Sequence, residues 1–331
     1  MTARIAVIGM GGSISTVGRH PLDLYEYGQH ARPLQVGEVL EMFAEVLGGF
    51  DIVPVPFRAL DSAAADPALW LELNREITRV AGSSGVDGIV VLHGTSTLEE
   101  TAYFLHLAAK VDAPIVLTGS QRPPNALGSD AGINIVNALR VAADAQARGA
   151  GVLVVMNDEI QCAREVTKAS NFSLHAFRTP DFGVLGHVGP DGSVSMYRRP
   201  TRRHAPDTEF DVLQLDTLPA VEVAYSYAGA SGRAIAAFVE DGVRGIVVCG
   251  TPPGRPSPAQ RRALVDAIAK GVLVVQCSRA GSGRVVPRGD DLAAGFIGAD
   301  DLNGQKARIL AMLALTQTSD RDAVRKMFAT Y

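Results

Sequence analysis

Short, unbroken apolar runs recur along this chain, separated by amphipathic stretches. In the first half the runs are RIAVIG (4–9), DIVPVPF (51–57), GIVVLHG (88–94), PIVLTG (114–119) and GVLVVMN (151–157). Continuous rather than alternating, they predict strands buried on both faces, as in a mostly parallel sheet. Between them, VGEVLEMFAEVL (36–47) sets Val36, Val39, Leu40, Phe43 and Leu47 on one helical face, and 97–110 and 132–145 repeat that pattern. From 189 to 219 Pro, Gly, Arg and Asp dominate and no period persists, which reads as a linker with an irregular strand or two. Alternation resumes with AVEVAYSY (220–227), a helix over 231–241, RGIVVCG (244–250), a helix over 257–270 and VLVVQCS (272–278); helical stretches over 304–317 and 321–331 close the chain. The pattern predicts an α/β protein of two domains. The larger, N-terminal one (1–190) carries a mostly parallel, doubly wound sheet, a linker spans 191–218, and a smaller C-terminal α/β domain fills 219–331.

Composition sharpens this. The chain has 331 residues, 47% hydrophobic and 20% charged, enough for a sizeable core and typical of a soluble globular protein. A net charge of -4 and a pI of about 6.0 give no support for nucleic acid or a membrane surface as partner. The basic string RRPTRRH (198–204) is short and interrupted by a proline, the mark of a solvated linker. Cys162, Cys249 and Cys277 are scattered and form no CxxC pair, which points to a reducing compartment. MTARIAVIGMGG runs straight into a strand without a charged-then-apolar leader, so the expected location is cytoplasmic. The seven histidines show no metal-ligand spacing, and no metal or other cofactor is expected. His93 reads as a packed, hydrogen-bonded structural residue, and Asp158 and Glu159 as a turn rather than an acid pair.

Ligands of open parallel sheets bind beyond the carboxyl ends of the strands. After the first run comes GMGGSIS (9–15), which lacks the last glycine of a dinucleotide fingerprint because Ile14 stands there. Gly11 and Gly12 suit close backbone approach instead, presenting Ser13. After the second run come Asp61 and Ser62; after the third, Gly94, Thr95, Ser96 and Thr97, the last expected to cap the next helix. The fourth leads into GSQRPPNALGSDAGIN (119–134), and the fifth into NDEIQCAREVTK (157–168), ending in Lys168. Hydroxyls and one lysine can form a nucleophilic pair if burial keeps the amine neutral.

These segments resemble the bacterial-type L-asparaginase/glutaminase family of amidohydrolases, from end to end. MGGSI (10–14), HGTSTLEETA (93–102), LTGSQRP (117–123), SDAGIN (129–134), NDEI (157–160), VTK (166–168) and the tail 302–331 carry the resemblance. It implies Ser13 in place of the loop threonine nucleophile, Thr95 as the second catalytic hydroxyl, Lys168 as its partner and Ser62 as a ligand of the substrate's α-carboxylate. Backbone amides around Gly12, Gly94 and Thr95 become candidates for carboxylate and oxyanion binding. Tyr25 or Tyr27 would be the lid tyrosine. The resemblance further implies a homodimer or homotetramer with the active site shared between subunits, and a small-molecule amide as substrate.

Four further positions depart from the family. Ser96 replaces an aspartate that supports the Thr–Lys pair and holds the substrate's α-ammonium. Arg288, counted back from GF (295–296), replaces a glutamate that completes the ammonium site from a neighbouring subunit. Pro253 replaces a pocket asparagine and Ala63 a glutamine. Exchanging two anions for a hydroxyl and a cation turns attraction for an ammonium into repulsion. The expected activity is therefore amide C–N hydrolysis by a hydroxyl nucleophile on a carboxylate-bearing substrate without a free α-ammonium: N-substituted, cyclic or deamino. A weak conventional asparaginase/glutaminase is the alternative, and a catalytically silent binder of small amides or dicarboxylates is the alternative of another class.

Overall fold

The structure is a computed structural model that describes residues 2–83 and 85–331. The chain divides into two compact units, Met1–Asp207 and Thr208–Tyr331. The first contains strands β1 (Arg4–Gly9), β2 (Asp51–Val55), β3 (Gly88–Leu92), β4 (Ile115–Thr118), β5 (Val152–Met156), β6 (Glu159–Cys162), β7 (Thr167–Lys168), β8 (Phe177–Arg178), β9 (Gly186–Val188) and β10 (Val194–Met196). Eight of these form one sheet in the order β10-β9-β6-β5-β4-β3-β1-β2, and β7 and β8 make a separate two-stranded ribbon. From β2 to β5 every pairing is parallel; β6, β9 and β10 join antiparallel.

The apolar runs become the parallel strands because each must be covered on two sides. All five residues of β3 are buried. One face packs Ile5, Val7, Val90 and Leu92 against Val39 and Leu40 of the helix Val36–Met42 and Ile135 and Leu139 of the helix Ala131–Ala143. The helix expected over 36–47 is broken at Phe43, whose ring lies over Gly132 so closely that a Cβ there would come within 2.9 Å of it. A seventeen-residue helix, Pro67–Ser83, was not among the sequence expectations. Its start is nonetheless written in the chain: Asp66 Oδ1 accepts the Leu69 N–H at 2.8 Å, and Pro67 occupies the first helical position. Within residues 191–218, expected as linker, β10 pairs with β9.

The topology positions the site. β1 is flanked by β2 on one side and β3 on the other, so chain direction diverges at β1, and ligands collect at such switch points. The register Gly9↔Leu92 and the Met10 N–H bond to Leu92 O (2.8 Å) set the loops after β1 and β3 side by side. A bridge between Gly11 and Leu60 brings in the loop after β2.

The second unit holds β11 (Val221–Tyr225), β12 (Gly245–Gly250), β13 (Leu273–Ser278) and β14 (Ile297–Gly298), all parallel and in that order. Ile246, Val248 and Val274 meet Ile235, Leu264 and Ile268 from two helices in its core. The helix Pro258–Ala269 starts with a reciprocal cap between Ser257 and Gln260. Among the described residues no helix is long and apolar enough to cross a membrane.

Candidate active site

Two glycines let three loops touch. Gly11 and Gly12 have φ of 88° and 82°. A Cβ on Gly11 would lie 2.4 Å from the Leu60 backbone, and one on Gly12 would lie 2.1 Å from Gly94 Cα. The GG pair therefore serves backbone approach between strand-end loops, the reading drawn from the sequence over a dinucleotide turn. Gly12 gives up its own N–H in doing so: that group donates to Leu60 O at 3.0 Å and is not available to a ligand. Ser13 follows at the head of a 3-10 turn, Ser13–Ser15.

The Ser13 hydroxyl accepts a hydrogen bond from Tyr27 Oη at 3.0 Å. Of the two lid candidates it is thus Tyr27 that reaches Ser13; Tyr25 is exposed and meets Phe172 edge-on at 6.3 Å. The segment bearing both is tied down by the loop after β4: Asn125 exchanges two bonds with the Gly18 backbone, and the Leu127 N–H donates to Pro21 O.

From the β2 side, Ser62 is buried and its Oγ accepts the Ser96 N–H at 3.2 Å. Asp61 beside it is exposed, with Oδ1 accepting the Ala63 N–H at 2.9 Å. Thr97 occupies the residue before the helix Leu98–Ala108, but its side chain makes no cap. Its hydroxyl instead donates to Ser62 O at 2.7 Å, so it staples the loop after β3 to the loop after β2. The expected cap is corrected on this point.

Thr95 is buried, and Lys168 Nζ lies 2.7 Å from its Oγ1. Burial lowers the Lys168 pKa below the ordinary lysine value, and the charge of Glu99 partly opposes that shift. Glu99, one helical turn beyond Thr95, accepts from both the Lys168 N–H and the Thr167 hydroxyl at 3.2 Å. Sequence reasoning assigned Glu99 no role. The one signal in the chain is an acid one turn after the hydroxyl loop on a largely apolar helix; its partners come to it through tertiary structure.

His93 is structural, as expected. Its Nδ1 donates to Gly94 O (2.7 Å), and its Nε2 accepts from Thr101 Oγ1 (2.9 Å), which itself receives the Trp70 Nε1–H (3.0 Å). Burial pushes its pKa down to about 4, so the ring is neutral at physiological pH.

Ser13, Thr16, Tyr27, Ser62, Thr95 and Ser96 line a cavity of about 410 Å³ together with Gly12, Gly94, Tyr25 and Asp61. Seven hydroxyls and one carboxylate, Asp61, make its polar wall, and no cation lines it. Arg288 belongs to the second unit, where it is exposed and precedes the helix Gly289–Ala294. Pro253 also lies in that unit, in the turn after β12, and Ala63 is exposed on the 3-10 turn Ser62–Ala64.

Residues 4–202 match the family model for the asparaginase N-terminal domain, and residues 220–328 match that for the glutaminase/asparaginase C-terminal domain. A glutaminase-asparaginase of Pseudomonas fluorescens biotype A is 38% identical over 99% of this chain and 91% of its own. L-asparaginase 2 of Bacillus subtilis (strain 168) is 37% identical over 99% and 86%. The crystal structure of a probable cytoplasmic L-asparaginase from Campylobacter jejuni superposes with a TM-score of 0.96 at 38% identity, covering 100% of both chains. Fold and relatives together define a hydrolase of carbon–nitrogen amide bonds. The chain belongs to the asparaginase family and is an asparaginase-like amidohydrolase.

Proposed function

We propose that this enzyme hydrolyses the amide of a carboxylate-bearing substrate that lacks a free α-ammonium, with Ser13 as nucleophile. The observation that carries the substrate reading is Ser96: it lines the cavity next to Thr95 and offers a hydroxyl where a carboxylate would be needed to hold an ammonium. Asp61, the one carboxylate of the cavity wall, is solvated and engaged by the Ala63 amide. The Ser62 hydroxyl and the N–H groups of Gly94 and Thr95, which have no protein acceptor among the described residues, suit the substrate's carboxylate. Arg288 would act from a neighbouring subunit of a homodimer or homotetramer, contacting a second carboxylate or an acyl carbonyl.

Ser13 Oγ attacks the amide carbon as the Tyr27 hydroxyl, turning from donor to acceptor in their 3.0 Å contact, takes the serine proton and passes it to the departing nitrogen. The tetrahedral oxyanion collapses, the C–N bond breaks, and the nitrogen leaves protonated. Neutral Lys168, bonded to the Thr95 hydroxyl, then draws a proton from water through Thr95, and the hydroxide cleaves the acyl ester. No step calls on a metal or cofactor.

The names of the relatives favour a second reading, a conventional asparaginase or glutaminase. A panel of L-asparagine, L-glutamine, N-acetyl-L-asparagine, N-carbamoyl-L-asparagine and succinamate, followed by ammonia or amine release, separates the two. The proposal expects kcat/KM for the substrates without an ammonium to exceed that for L-asparagine at least tenfold. The reverse order would overturn it.

A further inference from the structure

The Thr95–Lys168 pair closes a ring of contacts whose fourth member is Glu99. Thr95 ends one side; the helix Leu98–Ala108 starts three residues later and carries Glu99 in its first turn, buried. One oxygen of that carboxylate, Oε1, takes the Lys168 backbone N–H and the Thr167 hydroxyl. The lysine side chain then returns to Thr95 Oγ1. A lysine is long and flexible, and its head can be held at one hydroxyl only if its backbone is fixed relative to that hydroxyl. Glu99 does this from the same rigid helix whose N-terminal end follows Thr95.

The surroundings single out this carboxylate. The ribbon places Phe177 opposite Lys168 and an exposed Arg178 opposite Thr167. Thr95 and Ser96 contribute hydroxyls and no charge. Glu100, next to Glu99, is half-buried on the adjoining face of the helix. Resting on the reading that Thr95 and Lys168 work as a catalytic pair, we infer that Glu99 is a positioning residue of this reaction, which sets both the placement and the charge state of Lys168 while touching neither substrate nor nucleophile. Burial favours the neutral amine and the Glu99 charge favours the ammonium, so the residue at 99 decides where between these the lysine titrates.

The test uses the full-length enzyme, the fastest substrate of the panel above, and direct titration of Lys168 Nζ by 15N NMR. Glu99→Gln keeps an acceptor and removes the charge. The Lys168 midpoint and the acid limb of kcat should both move to lower pH by the same amount, with KM within twofold of wild type. Glu99→Ala should lower kcat at least tenfold. An unmoved lysine midpoint in Glu99→Gln, or full kcat in Glu99→Ala, would overturn the inference, since a merely structural acid would not shift a titration. If Glu99→Gln fails to fold, Glu99→Asp serves. Shorter by one methylene, it should keep the wild-type pH limb and lose kcat, whereas full kcat would count against Glu99. Full turnover in Lys168→Met and Thr95→Val would instead remove the catalytic pair on which the inference rests, a failure distinct from that of Glu99.

Discussion

Lys168 Nζ, on strand β7, and Thr95 Oγ1, in the loop after β3, are 73 residues apart in sequence yet stand 2.7 Å from one another. A proton can pass along this bond toward the amine only when the amine is neutral. Burial lowers the lysine's pKa, so the neutral form is reached at lower pH than for a solvated lysine. Turnover should rise with pH through an acid limb whose midpoint lies below the ordinary lysine value. Lys168→Met should lose about 10²- to 10⁴-fold in kcat, the usual contribution of a general base, and should lose that limb. A pH–rate profile of both proteins, with circular dichroism to verify folding, checks this.

Much of this was legible in the chain. Arg4–Gly9 and Gly304–Gln317 fall where the apolar pattern puts them, because both are long, strongly patterned elements with defined ends. The helix Pro67–Ser83 escaped notice since its apolar positions are diluted by Glu, Asn and Arg, although Asp66-Pro67 announces its start. Thr97 shows a deeper limit. Its position reads as a cap, and only the proximity of Ser62, packed against Gly94 and bonded to the Ser96 N–H, decides that its hydroxyl bonds there instead. Glu99 was hidden for the same reason: its partners Thr167 and Lys168 are brought to it by tertiary structure.

The Tyr27–Ser13 bond at 3.0 Å holds the proposed nucleophile to a tyrosine of the following loop. Ser13→Ala should abolish acyl transfer while leaving substrate affinity within a few fold. Tyr27→Phe should lower kcat by about 10²-fold with little change in KM, as expected for a proton-transfer group that acts chiefly in the transition state. Tyr25→Phe, at an exposed residue that meets Phe172 instead, should stay within twofold of wild type. Steady-state kinetics on the three variants gives the ranking, and equal losses at Tyr25 and Tyr27 would contradict the assignment.

His93 makes stability depend on pH. Its folded pKa is about 4 against 6.5 for the free side chain. Between these values the unfolded chain binds a proton that the folded chain refuses. Its contribution to stability is therefore intact above pH 6.5, declines as pH falls, and is lost by pH 4, amounting to about 3 kcal/mol across that window. Urea unfolding midpoints measured from pH 7 to 4 should fall accordingly. In His93→Gln the midpoint should be lower at pH 7, because the Gly94 and Thr101 bonds are disturbed, but its slope with pH should be shallower.

Ser96→Asp should restore the missing charge. Position 96 is exposed and lines the cavity, so a carboxylate there costs little in stability and lies where an α-ammonium would sit. A close, partly desolvated ion pair contributes about 1–3 kcal/mol, which corresponds to roughly 5- to 150-fold in affinity. Relative to succinamate, kcat/KM for L-asparagine should rise by that range in the variant. The same charge lies next to Thr95, so it should also favour the ammonium form of Lys168 and move the acid limb to higher pH, opposite to Glu99→Gln. A variant that keeps the wild-type preference would show that the neutral residue at 96 does not set specificity. The two shifts together, one in selectivity and one in pH, distinguish a restored ammonium site from a general improvement of the catalyst.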